Sequence, residues 1–481
     1  MLSTHSDVLI VGAGSAGSVL AERLSADSAR TVTVLESGPG PQQSGVAALT
    51  RNGLQLPIGA ASPLVARYQT ELTDNPQRVA QVVRGATVGG SGAVNGGYFC
   101  RATPADIAGW GLPGWSWDDV LAHFRAIETD LDFGDGPDHG DHGPIPVRRV
   151  RELTGSTAAF AEAAQRAGLD WLPDLNAAEA LSTSVAGVGA VPLNIVDGIR
   201  TGPGAAFLER AARRPNVTVR TSTRAVGIRI DAGSATGVAV IGPDGPTTLT
   251  ADRIVLCCGA IGSAHLLMLS GIGEEAQLRE AGVPVTVPAP VGSHCADHPE
   301  WVLPTNWTVE PSRAVLEVVL NIHNEIEIRP YTGGFIAMIG EDGGGRPDWP
   351  HLGVALMRPR SRGRVSLVSA DPAVPPRIQH RYDSVAADVE ALRRGSEFAR
   401  ELTSAATEVG ASAWATSQHL CATAPMGTDD DVRAVTDPQC RVRGVDGLWV
   451  IDGSVLPAVP SRGPNATIVM LAHRAAEFVA G

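Results

Sequence analysis

Near the C-terminus, in the stretch 418–480, His419 and Asn465 are the side chains whose types could do chemistry. A neutral imidazole accepts a proton near pH 7. Asn465 stands where a helix should begin, because Asn is a good N-cap and Ile468, Leu471, Ala475 and Phe478 follow at helical spacing. A helix starting there aims unpaired N–H groups and a partial positive charge at whatever lies in front of it. An anion, or a ring that turns anionic during a reaction, suits that position. The combination describes proton abstraction beside a site of developing negative charge. One His and one Asn alone are more often core groups satisfied locally, so this reading depends on what the rest of the chain brings to them.

The other end supplies the elements. DVLIVGAGSAGSVLAERLSA, 7–26, predicts a buried strand (Val8 to Val11), a glycine turn and a helix. Gly12, Gly14 and Gly17 form G-x-G-x-x-G: a tight turn, a close backbone approach to a pyrophosphate, and close helix–strand packing. TVTVLESG, 31–38, predicts the next strand, ending at Glu36, where a carboxylate can hydrogen-bond ribose hydroxyls. Strand, glycines, helix, strand and acid in that order signal a dinucleotide without separating NAD from FAD. VDGLWVIDGS, 445–454, predicts a short buried strand from Leu448 to Ile451, ending at Asp452.

Composition narrows the classes. The 481 residues carry a net charge of −13, and all 38 basic residues are arginine, with no basic stripe to neutralise phosphates, which argues against nucleic-acid binding. The six cysteines fit no metal-ligand or C-x-x-C spacing and are expected as reduced thiols in a cytoplasmic protein, free or peripheral to the inner face of the membrane. The longest apolar window, 254–273, is broken by glycines, Ser263 and His265 into a strand and a short helix, so no membrane span is expected. His139 and His142 lie three apart in a turn-rich loop with no further ligand pattern, and solvation is expected there rather than a metal. His123 is expected to be structural.

VVRGATVGGSGAVNGGYFCRATPADI, 82–107, is rich in glycine yet holds Val82, Val83, Val88, Val94 and Tyr98, which suits a loop packed on a flat ligand. From Pro290 to about Ser417 the pattern turns to short alternating strands, as at 315–331 and 362–370, expected as an antiparallel sheet with one wet face. Arg358, Arg360, Arg362 and Arg364 are expected along one strand face, exposed or attracting an acidic substrate.

The N-terminal fingerprint, RG-x-x-x-GG-S-x-x-x-NGG at 84–97, CCGAIGSAHLLMLSGIG at 257–273, VGSHCADHP at 291–299 and the His419–Asn465 segment together resemble the glucose–methanol–choline (GMC) oxidoreductases. The resemblance implies an α/β fold: an FAD-binding Rossmann-like parallel-sheet domain with an interleaved α+β substrate domain built on an antiparallel sheet. The FAD part would comprise 1–153, 191–292 and 418–481, with 154–190 either part of the substrate domain or connecting and 293–417 binding substrate. FAD would be held by Gly12, Gly14, Ser15, Ala16, Gly17, Glu36, Ser37, Arg84, Gly89, Gly90, Asn95, Gly96, Val226, Asp452, Gly453, Ala466 and Thr467. It would be non-covalent, because Val94 stands where tethered members have histidine. His419 would take the hydroxyl proton of an alcohol and Asn465 would hold its oxygen. HLCAT at 419–423 departs from the family wording by placing Ala422 where glycine is usual. The segments at 89–107 and 112–133 further resemble actinobacterial GMC enzymes associated with mycofactocin, a peptide-derived redox cofactor. That likeness implies reduced mycofactocin as donor and a quinone or other respiratory-chain acceptor. An oxidase producing hydrogen peroxide, a lyase on the same scaffold and a non-catalytic flavin protein are the alternatives.

Overall fold

The Val8–Val11 part of strand His5–Val11 is apolar on both sides, so it can only sit inside a sheet covered on both faces. In the computed structural model, which describes residues 4–308, 313–342, 344–345, 347–403 and 412–481, it lies within a seven-stranded sheet. Val32–Leu35 and Gly245–Leu256 flank it in parallel, and Val217–Arg220 extends the parallel set beyond Val32–Leu35. Leu448–Val450 pairs in parallel with the end of Gly245–Leu256, while the hairpin Arg224–Asp231/Ser234–Gly242 adds antiparallel strands to its beginning. The C-terminal helix, Asn465–Ala480, packs along helix Ser15–Leu24 and against Trp117–Ile127. Wedged between two helices, it buries most of its circumference, including Val469, Met470 and Ala476, and not only the expected stripe. The first and last segments of the chain are thereby neighbours.

A second seven-stranded sheet runs Ala413–Thr416, Pro299–Pro304, His351–Leu356, Ile326–Pro330, Val318–Ile322, Ala186–Ala190 and Asp170–Trp171. All its pairings are antiparallel except the last. The expected wet face is not there, because both faces are buried. Strand alternation sends Ile326 and Ile328 into a core with Phe160 of helix Gly155–Arg166 and Leu392 of helix Ala386–Leu402. The opposite face, with Glu327 and Arg329, is also closed off from solvent. A four-stranded sheet joins Val65–Asp74 and Gln77–Gly85 to Arg364–Ser366 and Arg377–Gln379, linking segments far apart in sequence.

The four arginines do not share a strand face. Only Arg364 lies in a strand, where it pairs with Glu274, while Arg358 reaches Asp106 and Arg362 bonds the carbonyls of Pro359 and Ser361. The chain leaves the sheet after Leu356, so the alternation that would align them is lost. All six cysteines are free, and no helix among the described residues is long and apolar enough to cross a membrane.

His139 is not solvated: it is 3% exposed, whereas His142 lies open. Its ring bonds Asp174 at 2.6 Å and both Glu128 and Asp130 at 3.0 Å, and Arg101 and Arg149 pair with the same carboxylates. Ligand atoms of Glu128, Asp130 and His139 lie within 4.8 Å of one another, a spacing a cation could use. The positive charge there comes from the two guanidiniums and the imidazolium. Burial works against protonation of His139, but hydrogen bonds to Asp130, Asp174 and Glu128 outweigh it and raise its pKa to about 10. A raised folded-state pKa contributes stability that is complete below the unfolded value and is lost as pH rises through about 10. The melting temperature should therefore decline between neutral pH and that point. His139→Gln should flatten the decline, and an unchanged slope in a pH series of thermal melts would remove the protonated histidine from the account.

Candidate active site

Two backbone ladders fix the segment that carries His419. Cys421 exchanges hydrogen bonds with Ala296, and Ala422 and Ala424 donate to Gly453 and Ser454. Gln418 and Ala422 both have positive φ, 61° and 64°. Ala422 thus occupies the left-handed conformation for which glycine is favoured, at a cost of about 1–2 kcal/mol. The carboxamide of Gln418 accepts from the backbone N–H of Val83 at 2.9 Å and from Arg84 at 3.3 Å, tying the glycine loop to the histidine.

Asp297 organises the base. One carboxylate oxygen accepts from the backbone N–H of His419 at 2.6 Å and from that of His298 at 2.9 Å. The other takes the hydroxyls of Tyr382 and Thr416. The Nδ1 atoms of the two histidines lie 2.9 Å apart, with rings perpendicular. Burial above all, then His298, Arg329 and Arg84, holds His419 well below its ordinary pKa, so the ring is neutral at pH 7.

Asn465 does not cap its helix. Pro464 precedes the first turn, no side chain caps it, and Asn465 is the first helical residue. Proline's fixed φ suits a helix start, which leaves the carboxamide free for a tertiary bond: Oδ1 accepts from the Ser15 hydroxyl at 2.9 Å. The Nδ2 donor is buried with no partner among the described residues. A side chain grown on Gly463, two residues earlier, would meet the Tyr98 ring at 2.9 Å and Cε1 of His419 at 3.5 Å, which places the two segments side by side.

Several of the expected nucleotide residues meet one another, and the Ser15–Asn465 bond joins them to this site. Gly12 (φ 106°) sits under the backbone of Cys257, and a Cβ on Gly17 would collide with the Gly12 carbonyl. Gly89 donates to the Ala13 carbonyl at 2.7 Å, and Gly90 (φ 54°) lies so close that its Cβ would sit 2.7 Å from the Gly14 Cα. Glu36 is buried, which raises its pKa, and it accepts from the N–H groups of Gly38 and Ala13; Ser37 donates to it as well. Val226 falls at a register shift between Ala225 and Gly227, so its backbone is left out of the strand ladder. Other expected residues use their polar groups within the protein. Asn95 bonds the Gly97 N–H, Asp452 bonds Gly259, Ser263 and Ser454, and Thr467 accepts from Ala102. Gly453 and Ala466 are buried, and a Cβ on Gly96 would meet the Val315 side chain at 2.7 Å.

These residues fit a flavin dinucleotide. A Cβ on Gly14 would meet nothing nearer than 3.8 Å, and the helix start at Ser15 has no side-chain cap, leaving N–H groups open to a phosphate. Among the described residues Arg84 forms no ion pair, and burial lowers its pKa against the pull of Asp297, so a half-buried positive charge lacks a bonded counter-ion. The orphaned Nδ2 of Asn465 needs an acceptor.

Sequence reasoning missed His298, Gln418 and a cluster on the facing sheet. Arg329 binds Glu300 at 2.8 Å and Glu327 at 2.7 Å, and it donates to Ser417 two residues before the base. Tyr98 and Tyr331 complete the cluster by donating to Glu327 and Glu300. VGSHCADHP did contain Asp297 and His298, but no local pattern says that His298 faces a residue 121 positions away.

Comparison with known proteins agrees with this geometry. Over 99% of both chains, this one is 39% identical to the "Uncharacterized GMC-type oxidoreductase in thcA 5'region" of Rhodococcus erythropolis. It is 31% identical to an "Oxygen-dependent choline dehydrogenase" of Pseudomonas aeruginosa, over 100% of this chain and 95% of the other. The crystal structure of pyridoxine 4-oxidase from Mesorbium loti superposes with a TM-score of 0.86, 28% identity and 98% coverage of both chains. Residues 6–300 and 359–472 match the N- and C-terminal models of GMC oxidoreductases. The chain belongs to the GMC oxidoreductase family, FAD-dependent enzymes that act on CH–OH donors.

Proposed function

We propose that this chain is a dehydrogenase that oxidises reduced mycofactocin (mycofactocinol), or a comparable neutral alcohol, and hands the electrons to a quinone or other respiratory acceptor. The observation that carries the CH–OH chemistry is the buried, unpartnered Nδ2 of Asn465 beside a histidine held neutral. His419 accepts the hydroxyl proton, and the Asn465 N–H holds the donor's oxygen as it gains negative charge. The ladders at Ala296 and Gly453 fix the backbone that carries the ring. Bound FAD supplies the two-electron acceptor for the carbinol hydrogen. Gly12 to Gly17, Glu36, Arg84, the 89–96 loop and the backbone at Val226 hold it, without a covalent link because Val94 offers no nucleophile. The division into FAD segments (1–153, 191–292, 418–481) and a substrate segment (293–417) is part of the same reading.

The mycofactocin assignment rests on the resemblance over 89–107 and 112–133. Donor charge has a structural basis. Both buried carboxylates on the facing sheet, Glu300 and Glu327, are already bonded to Arg329. None is left free to receive a cationic donor, unlike what the name of the choline dehydrogenase relative would suggest. An oxidase is the second reading, favoured by the likeness to a protein named pyridoxine 4-oxidase.

One experiment separates these. Purified holoprotein is mixed anaerobically with reduced mycofactocin, choline and a panel of neutral alcohols, and the flavin spectrum is followed; peroxide is then measured in air. Bleaching by reduced mycofactocin, none by choline and little peroxide are expected. Bleaching by choline ahead of neutral donors defeats the charge argument. Stoichiometric peroxide favours the oxidase, and no bleaching by any alcohol removes the redox reading.

A further inference from the structure

His298 is buried, and one of its ring nitrogens has no partner among the described residues. Its Nδ1 is 2.9 Å from Nδ1 of His419, and the two rings stand at 90°. Two imidazole nitrogens at that distance share one hydrogen: one ring brings an N–H and the other a lone pair. If His298 gives the hydrogen, His419 must carry its own proton on Nε2, and no lone pair is left to accept one. If His419 gives it, Nε2 of His419 holds the lone pair. Only the second arrangement is a base.

From this geometry we infer that His298 is a positioning residue that accepts a hydrogen bond from Nδ1–H of His419 and so fixes the tautomer whose Nε2 takes the alcohol proton. The inference rests on the reading of His419 as the base. As the donor O–H bond breaks and a bond to Nε2 forms, His419 becomes a cation with its Nδ1–H already aimed at a neutral acceptor. His298 loses and gains no proton in this step. It plays the part that a carboxylate plays for histidine in hydrolytic triads, without adding a negative charge beside the donor. Asp297 makes the pairing rigid, since one of its oxygens holds the backbone N–H of both histidines. The charged groups around the two rings are Asp297, Arg84, Arg329, Glu327 and Asp106. Burial first, opposed by Asp297 and aided by Arg329, lowers the pKa of His298 to about 4, in keeping with an uncharged acceptor. Its buried Nε2 then carries the proton, a donor left unbonded among the described residues.

The test uses FAD-loaded holoenzyme labelled with 15N-histidine, with His419 assigned from the signals lost in His419→Gln. The expected pattern near neutral pH is a pyrrole-like Nδ1 and a pyridine-like Nε2 for His419. The reverse pattern overturns the inference in the unmodified protein, whatever the variants do. His298→Leu should leave FAD bound, mix the two tautomers and slow anaerobic flavin bleaching by the best donor of the panel about 10- to 100-fold, the effect of losing one hydrogen bond to a charged group. His298→Asp should restore the single tautomer and much of the rate, and should move the acid limb of the rate to higher pH. A residue that merely fills space predicts the opposite order, with the buried charge worse than leucine. If His419→Gln abolishes bleaching while His298→Leu changes neither rate nor 15N pattern, the inference alone falls. If His419→Gln bleaches normally, the base assignment falls with it.

Discussion

Removing the imidazole in His419→Ala lowers the rate of anaerobic flavin bleaching by about 10²–10⁴, while FAD stays bound. The variant keeps the backbone N–H bond to Asp297 and both ladders around 421–424, so the loss is confined to proton transfer. No neighbour replaces the base. Glu300 and Glu327 are engaged by Arg329. The pH profile carries the same information. A base works deprotonated, and His419 is held well below its ordinary pKa by burial, His298, Arg329 and Arg84. The unmodified rate should thus be level from about pH 6 to 8 and fall only on the acid side. Stopped-flow reduction of both proteins decides the matter. A wild-type rate that keeps climbing through neutral pH, or a variant within a factor of about two of it, would show that the proton goes elsewhere.

Gly90→Ala is expected to leave a folded protein with at most about a tenth of its flavin. The left-handed conformation alone costs an alanine about 1–2 kcal/mol, and its Cβ would stand 2.7 Å from the Gly14 Cα. Both partners are backbone, and neither can swing aside. Gly14 lies at the helix start where a pyrophosphate would rest, so displacing it widens the cradle. Releasing flavin with acid and comparing it with protein gives the occupancy, and circular dichroism checks the fold. Full occupancy with unchanged affinity would mean that the two glycines touch without shaping the nucleotide site.

What could be read from the sequence was local. Val8 to Val11 form a buried strand because no polar residue interrupts them. Gly12 and Gly17 are needed because the chain turns and packs within five residues, and both reasons are visible at short range. His419 and Asn465 stood out through motif wording, though the N-cap assignment gave way to Pro464. The partners of the base were hidden for a physical reason. His298 meets His419 only when two strands of the antiparallel sheet bring 296–300 beside 413–421. The Glu300–Arg329–Glu327 cluster likewise crosses strands, and a two-residue alternation shows that a face is polar without showing what closes over it. His139 failed for the same reason: a turn-rich loop looks solvated until buried carboxylates from 128, 130 and 174 surround it.

Strand Ile326–Pro330 shows the two sides of that alternation kept apart. Ile326 and Ile328 belong to the core under the helices, whereas Glu327 and Arg329 belong to the wall opposite the histidines. Selection can therefore act on one set of positions while leaving the other alone. A lineage could exchange the charged pair for another matched pair and acquire new donors without rebuilding the scaffold, which makes this short strand a natural starting point for retargeting the enzyme.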